Sequence, residues 1–287
     1  MTGYSITVQN IMLETLQSPF MQRAFLVGAM AAVPFGLIGT FVVVRRIGYL
    51  AGAIAHCSFG GIGIGLYLQY LLAATVFAPF LPPMGVSIAV TVLSALLIGV
   101  VRMKAKERED TVIGAVWAVG MALGVVLLEL TPGNVNLSAY LFGDIIMMTQ
   151  TDVRYVAVLS AAVLAVGILC FKRFEAVCFD QEFARLRGIP TGFYFQLLLV
   201  LTAMTVVTLV RVVGIVLVIA MLTLPAATAC RLAKRLKPIC FLSILIGLLS
   251  SWIGLFLSVV LNFPTGSTIV LTAAIFYFAS LFCTAHQ

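Results

Sequence analysis

Residues 47–101 read IGYLAGAIAHCSFGGIGIGLYLQYLLAATVFAPFLPPMGVSIAVTVLSALLIGVV, a run of 55 positions without Asp, Glu, Lys or Arg. One helical span of a bilayer takes about 20 apolar residues, so this run is long enough for two. Residues 78–85 divide it, because they hold three prolines, which end helices. The stretch therefore predicts two transmembrane helices, one on each side of residues 78–85.

The rest of the chain repeats this pattern. Further charge-free runs cover residues 24–44, 111–128, 155–171, 188–210, 212–230 and 238–285. The last run has 48 residues and breaks at residues 262–266, which contain Asn, Pro and Gly. The chain lacks the alternating ten-residue segments that are typical of a membrane β-barrel. We therefore predict an all-α polytopic membrane protein with about nine transmembrane helices.

The composition agrees with a protein built for lipid. The chain of 287 residues is 62% hydrophobic and 9% charged, which leaves too little polar surface to cover a soluble domain. Residues 1–19 carry no Lys or Arg and contain Glu14, so they do not resemble a cleaved signal peptide. We expect residues 1–19 to form an N-terminal interfacial segment and residues 20–287 to form one transmembrane domain.

The basic residues indicate how the chain is oriented. Four clusters hold 14 of the 17 Lys and Arg residues: 45–46, 102–108, 172–187 and 231–237. With nine spans and the N-terminus outside, all four clusters fall on the cytoplasmic side, as short basic loops do. The net charge of +7 is therefore interpreted as a topology signal. A nucleic-acid surface would need interleaved aromatic residues and a soluble domain, so no nucleic-acid partner is expected.

Several catalytic and energy-coupling motifs are absent from the sequence. It contains no GxxxxGK[ST] nucleotide loop, no HExxH metalloprotease motif and no CxxC pair. The only acid near the interior of a span is Glu129, at the predicted outer end of span four. An ion-driven carrier normally needs buried ionisable groups, so we expect the driving energy to come from outside this chain.

One ionisable side chain, His56, lies well inside a predicted span. Gly48, Gly52, His56 and Gly60 are four residues apart and are predicted to share a helix face. Two interpretations stay open. His56 either hydrogen-bonds a neighbouring helix in a glycine-packed bundle, or it is a metal ligand beside a pathway, since neutral imidazole suits zinc, iron, nickel and copper. A single imidazole cannot form a stable zinc site, but a pathway needs weak binding.

Two further positions each have two possible roles. Asp144 follows the Pro132–Gly133 turn, where it either caps a short helix or lines an outer mouth; the cap is the preferred interpretation. Pro225 lies inside span seven, where it marks either a kink with small-residue packing or a helix break near a pathway.

Residues 178–190 form the most polar segment between predicted spans, and they predict a short amphipathic helix. Asp180 is a suitable N-cap, and Gly188 with the following Ile-Pro ends the helix. Glu182 and Arg185 are expected on its exposed face, with Phe183 as an apolar anchor. The alternative is an ordinary loop with a solvated charge run.

Five motifs follow one another along the chain in a recognisable order. They are GTFVVVRR at 39–46, the His56 segment at 48–60, YLFGD at 140–144, FDQEFARLRGI at 179–189 and VVGIVLVIAMLTLPAATA at 212–229. In order and spacing they resemble the permease subunits of bacterial ABC importers for zinc, manganese or iron. The resemblance covers the chain from about residue 20 to the C-terminus.

This resemblance implies a fold similar to that of the vitamin B12 and siderophore permeases. It further implies a bacterial inner-membrane protein that pairs with a second permease chain, two ATPase subunits inside and a metal-binding protein outside. Residues 179–188 would be the coupling helix that docks on the ATPase; Asp180, Glu182, Phe183, Arg185, Leu186 and Gly188 match that motif.

The chain departs from the family at Gly52. Family members often carry Asp four residues before the histidine, where both side chains face the path, and glycine supplies no carboxylate. The metal therefore stays open among zinc, manganese and iron. The alternatives are the same architecture importing a chelate such as a siderophore, haem or B12, and a secondary metal carrier.

Overall fold

The computed structural model of the chain describes residues 18–72, 82–104, 109–132, 143 and 150–284. The predicted interfacial segment lies almost entirely outside these residues, as does Asp144. Within them the chain forms eleven helices and no strand: α1 (Pro19–Val44), α2 (Gly48–Leu71), α3 (Pro83–Lys104), α4 (Glu109–Leu130), α5 (Gln150–Leu169), α6 (Phe171–Phe179), α7 (Gln181–Leu186), α8 (Thr191–Val213), α9 (Ile215–Leu232), α10 (Leu236–Leu261) and α11 (Thr265–Thr284).

Nine of these described helices, all except α6 and α7, are long and apolar enough to cross a bilayer, which confirms the predicted class. The break predicted at residues 262–266 also has a visible cause. Helix α10 ends at Asn262, which adopts the left-handed conformation (φ 54°), and Pro264 precedes α11. Asparagine tolerates that conformation better than most residues, so the two residues together end one span and begin the next.

The core of the bundle is formed by α1, α2 and α8, and α4 lies at its edge. About 78% of the most apolar part of α2 is buried, whereas the corresponding share for α4 is 17%. Helix α2 packs closely against α3 and α4, while α1 packs against α9 and α10. The exposed side of α4 carries large apolar groups, including Val119 and Val126. This side of α4 is therefore suited to lipid or to another protein chain.

Glycines bring α2 and α4 into backbone contact. A Cβ placed on Gly60 would lie 2.5 Å from the carbonyl oxygen of Gly120, and one on Gly63 would lie 2.7 Å from that of Gly124. No side chain fits at such a distance. Small residues at this spacing let two helices pack by van der Waals contact in lipid, where no hydrophobic force drives them together.

The segment between α5 and α8 differs from the single helix predicted over residues 178–190. Helix α6 runs to Phe179 and packs Phe174 and Val177 into the core, and α7 begins only at Gln181. Asp180 separates the two helices because its backbone is extended (φ −148°, ψ 104°). Its carboxylate accepts the Phe183 N–H at 2.9 Å, so the predicted N-cap is present.

Candidate functional site

His56 lies on α2 at its contact with α4, and two α4 side chains position it. The imidazole stacks on the Trp117 indole, with ring centroids 4.5 Å apart and planes 15° apart. Its Nδ1 lies 3.2 Å from the Met121 sulfur. The imidazole is only partly buried, and it is the one His, Asp, Glu, Lys or Arg side chain on α2. Trp117 therefore fixes the ring plane, and Met121 lies next to Nδ1.

The glycines that were predicted to share the His56 face have different neighbours. A Cβ on Gly48 would approach Thr223 of α9 at 3.7 Å, and one on Gly60 would clash with α4. A step of four residues turns a helix by about 40° beyond a full circle, so three steps move the face by about 120°. A Cβ on Gly52 would meet no atom within 4 Å, although Gly52 itself is buried. Position 52, one turn before His56, therefore has open space for a side chain.

A shallow cavity of about 500 Å³ lies along α4, next to the two side chains that contact His56. It is lined by Gly114, Trp117, Ala118, Met121, Ala122 and Val125. Apart from Met121, these side chains are apolar or small, so the cavity offers an ion few ligands. Among the described residues, no group of three or more His, Cys, Asp or Glu side chains converges as a metal site.

Pro225 is buried inside α9, and the helix continues through it to Leu232. The carbonyl of Leu222, three residues earlier, lies directly against Gly39 of α1, where a Cβ has no room. Proline lacks the N–H that would bond the carbonyl four residues earlier, which for Pro225 is the carbonyl of Met221. The structure thus shows small-residue packing one turn before Pro225, and the kink and the pathway break both stay predictions.

Helix α7 presents apolar side chains to solvent. Leu186 is 87% exposed and Phe183 is 52% exposed, whereas Ala184 is fully buried beneath them. The guanidinium of Arg187 lies 4.9 Å from the centre of the Phe183 ring. Two exposed apolar groups on a six-residue helix with charged neighbours form a surface suited to an apolar groove on another protein. We call Phe183, Leu186 and the exposed Glu182 and Arg185 the α7 surface.

The end of α7 is fixed by the backbone of Gly188. Gly188 has φ 75°, its N–H bonds to the Arg185 carbonyl, and the Ile189 N–H bonds to the Ala184 carbonyl. These two bonds form a Schellman motif, which favours glycine at the left-handed position. Asp180 and Gly188 thus define both ends of α7, as the sequence predicts.

Side-chain bonds connect α6 and α7 to the long helices. Arg185 Nε donates to Thr191 Oγ1 at 3.0 Å, at the first residue of α8. Arg173 donates to the Tyr194 hydroxyl at 2.7 Å, and Arg45 at the end of α1 donates to the Val177 carbonyl. Helix α7 is thus bonded directly to α8, and α6 is bonded to both α1 and α8.

A basic cavity of about 360 Å³ lies beside α7. Its lining is Arg45, Arg102, Met103, Gln181, Arg185, Gly192 and Phe195. The guanidinium groups of Arg45 and Arg102 lie 4.8 and 5.3 Å from the centre of the Phe195 ring. Burial lowers the pKa of Arg45, and the charge of Arg102 adds to this effect. Residues of the basic clusters 45–46, 102–108 and 172–187 thus lie together at one end of the bundle, which we call the basic end.

The thiol of Cys178 at the basic end is made unreactive by its surroundings. Burial raises the pKa of the Cys178 thiol to about 11, although nearby Arg45 opposes this shift. The described cysteines are all free. The raised pKa leaves the Cys178 thiol protonated at neutral pH.

Sequence reasoning located His56 but missed Trp117 and Met121. Both are more than 60 positions from His56 in the sequence, and an isolated Trp or Met in an apolar helix is typical of packing. The signal that was available is the pair Gly120 and Gly124. These glycines allow α4 to approach α2, so their neighbours in the helix lie next to His56.

Comparisons with known proteins agree on the kind of chain this is. The model of the ABC 3 transport family matches residues 17–284. A probable metal transport system membrane protein of Chlamydia pneumoniae is 39% identical, over 90% of this chain and 86% of that protein. The manganese import system permease protein ScaB of Streptococcus parasanguinis is 31% identical, over 94% and 93%.

Two solved structures share the arrangement of helices. PsaBC from Streptococcus pneumoniae, determined in complex with a Fab, superposes with a TM-score of 0.82 at 31% identity and covers 94% of both chains. An ABC transporter in an inward-facing conformation superposes with a TM-score of 0.71 at 12% identity, over 91% of this chain and 85% of that one. At that identity the second match shows the fold alone, which is that of an importer permease.

Proposed function

The chain belongs to the ABC 3 transport family and is the membrane permease of a metal-ion ABC importer, and from this premise we propose how it moves its ion. The ion is a divalent transition metal, and its path runs along the contact of α2 and α4 beside His56. The proposal is carried by the His56 imidazole, which lies partly open one turn from the unfilled space at Gly52. Neutral imidazole binds such ions, and a single ring releases them again.

Two relatives are named manganese permeases, which supports manganese as one of the transported ions. Iron and zinc are the other candidates, because imidazole binds both. A chelate would need a wide vestibule and no protein ligand. The His56 imidazole, which stacks on Trp117 one turn from the open space at Gly52, is a protein ligand and therefore supports a bare ion as the substrate. A secondary carrier would need buried acids, and the described part of α2 has none.

The energy for this step comes from a separate ATPase. We propose that two ATPase subunits bind at the basic end and that each contacts one α7 surface. The exposed Leu186 and Phe183 support this assignment, because ordinary solvated helices bury such residues. The bonds from Arg185 and Arg173 to α8 would transmit the movement. Residues 20–287 act as one permease domain in this scheme.

The basic end faces the cytoplasm in our proposal, which places the N-terminus outside and the C-terminus inside. The concentration of guanidinium groups around the 360 Å³ cavity supports this orientation. A second permease chain packs against the exposed side of α4, where it completes the path. A metal-binding protein delivers the ion at the opposite, outer end. Asp144 is a candidate residue for the outer opening of the path.

The test is uptake by the permease–ATPase complex reconstituted in vesicles. Wild type should take up Mn²⁺, Fe²⁺ or Zn²⁺ when ATP is supplied on the side of the membrane that carries the ATPase. His56→Ala should slow this uptake about tenfold or more without loss of assembly. Gln69→Ala, at the exposed end of the same helix, is the matched control. Equal uptake by His56→Ala and Gln69→Ala would show that His56 does not contact the transported ion. No uptake of any of the three metals by wild type would refute the proposal that the substrate is a divalent transition metal.

A further inference from the structure

We propose that Met121 is the second ligand of the ion at His56, and that this nitrogen–sulfur pair makes the path prefer Fe²⁺ and Zn²⁺ over Mn²⁺. The inference rests on the proposed function, because it identifies the kind of ion that the same path accepts. It concerns a residue on a different helix from His56. The pair therefore also makes the site depend on the contact between α2 and α4.

The distance between the two donor atoms suits one shared ion. Typical bond lengths to zinc are about 2.1 Å for imidazole nitrogen and about 2.3 Å for the thiolate sulfur of cysteine, and the second value is a lower bound for the neutral thioether of methionine. Two such bonds at a right angle place nitrogen and sulfur about 3.1 Å apart, and a tetrahedral angle places them about 3.6 Å apart, from the same bond lengths. The distance from His56 Nδ1 to the Met121 sulfur is 3.2 Å. Both atoms can thus bind one ion with little movement.

The surroundings orient both donors. The Trp117 indole covers one face of the imidazole, which fixes the plane of the ring and hence the direction of Nδ1. Gly120 lies against Cys57 of α2, so the α4 backbone next to Met121 is held close to the helix that carries His56. Met121 also lines the 500 Å³ cavity along α4, so an ion can reach its sulfur from that side.

The chemistry of the pair selects among divalent ions. Thioether sulfur is a soft ligand and imidazole is intermediate, whereas Mn²⁺ prefers carboxylate, carbonyl and water oxygens. The position one turn before His56, where a carboxylate would face the same ion, is Gly52. The nearest acid after Met121 on α4 is Glu129, eight residues or about 12 Å along the helix. The described side chains at the site therefore offer Mn²⁺ no hard ligand.

The experiment compares Met121→Leu with Met204→Leu in the reconstituted permease–ATPase complex. Leucine keeps the volume of methionine and removes the sulfur. Met204 on α8 is also partly buried, and it controls for the general effect of this exchange. The first readout is competitive uptake from equal concentrations of Mn²⁺, Fe²⁺ and Zn²⁺ under reducing conditions. The second is zinc X-ray absorption of the nucleotide-free complex, which detects a sulfur neighbour directly.

Wild type and Met204→Leu should prefer Fe²⁺ and Zn²⁺ to Mn²⁺ and should show a sulfur neighbour in the first coordination shell of zinc. Met121→Leu should lower that preference by about tenfold and lose the sulfur neighbour. Unchanged selectivity in Met121→Leu, or wild type without a sulfur neighbour, would overturn the proposal while leaving metal uptake itself standing. Wild type that takes up none of the three ions would instead refute the proposed function.

Discussion

Arg185 Nε donates a hydrogen bond of 3.0 Å to Thr191 Oγ1, and this bond joins α7 to the first residue of α8. Arg185 is exposed and belongs to the α7 surface, whereas Thr191 is buried. Only the turn at Gly188 lies between the two residues in the chain. In the proposed function this contact would pass a displacement of the α7 surface to the end of α8, a long helix that packs against α2.

Thr191→Val tests this connection. Valine keeps the shape of threonine but cannot accept the Arg185 N–H, which removes a bond of about 1–2 kcal/mol. We expect the complex to assemble normally and its metal-stimulated ATPase rate to fall several-fold. Thr191→Ser retains the hydroxyl and should behave like wild type. Equal stimulation in the valine and serine variants would show that the bond carries no coupling.

Leu186 provides a test of docking that is independent of the bond to α8. Its side chain is 87% exposed, so Leu186→Ala should leave the stability of the isolated permease unchanged. If the ATPase buries this leucine, the variant should lose about 2 kcal/mol of binding free energy, or about thirtyfold in Kd. Titration of the permease with its ATPase measures this loss, and Leu186→Met should largely retain affinity. Identical Kd values for the alanine and methionine variants would contradict docking at α7.

The nine spans could be predicted because membrane insertion depends on local composition. Charge-free runs of sufficient length, broken by prolines at 78–85 and by the turn at 262–266, need no knowledge of tertiary contacts. Asp180 and Gly188 were predictable for the same reason, since caps depend on a few neighbouring residues. Helix α6 was missed because Phe174 and Val177 are buried by contacts with α1 and α8, which a local pattern does not reveal.

The His56 site could be predicted only in part. The position of the imidazole and the open space at Gly52 follow from one helix, because both lie on α2. Trp117 and Met121 depend on how α4 packs against α2. Residues four apart do not lie on quite the same side of a helix, because each step of four turns the direction of the side chain by about 40°. Gly48 therefore faces α9, whereas Gly60 faces α4. Partners on other helices require the tertiary structure.

Gly60→Ala should destabilise the contact between α2 and α4. The new methyl group would lie 2.5 Å from the Gly120 carbonyl oxygen, so one of the two backbones must move. Overpacking of this kind costs about 1–3 kcal/mol. Thermal unfolding of the detergent-solubilised permease should show a lower Tm than wild type. Gly52→Ala, on the same helix with no atom within 4 Å of the added Cβ, should show no decrease. A Tm for Gly60→Ala equal to that of Gly52→Ala would mean that the two helices are not in backbone contact.

Gly52→Asp should move the selectivity of the path toward Mn²⁺. The space around Gly52 admits a side chain, and position 52 lies one turn before His56, so the carboxylate can reach an ion at Nδ1. A carboxylate is a hard ligand that suits Mn²⁺, and we expect the ratio of Mn²⁺ to Zn²⁺ uptake to rise about tenfold. Gly52→Asn, of the same size but without charge, should change the ratio little. The buried carboxylate should also lower the Tm in chelator, because an unpaired charge is costly in an apolar site, and Mn²⁺ should restore the Tm. A Tm that Mn²⁺ does not restore, with unchanged uptake ratios, would place position 52 outside the path of the ion.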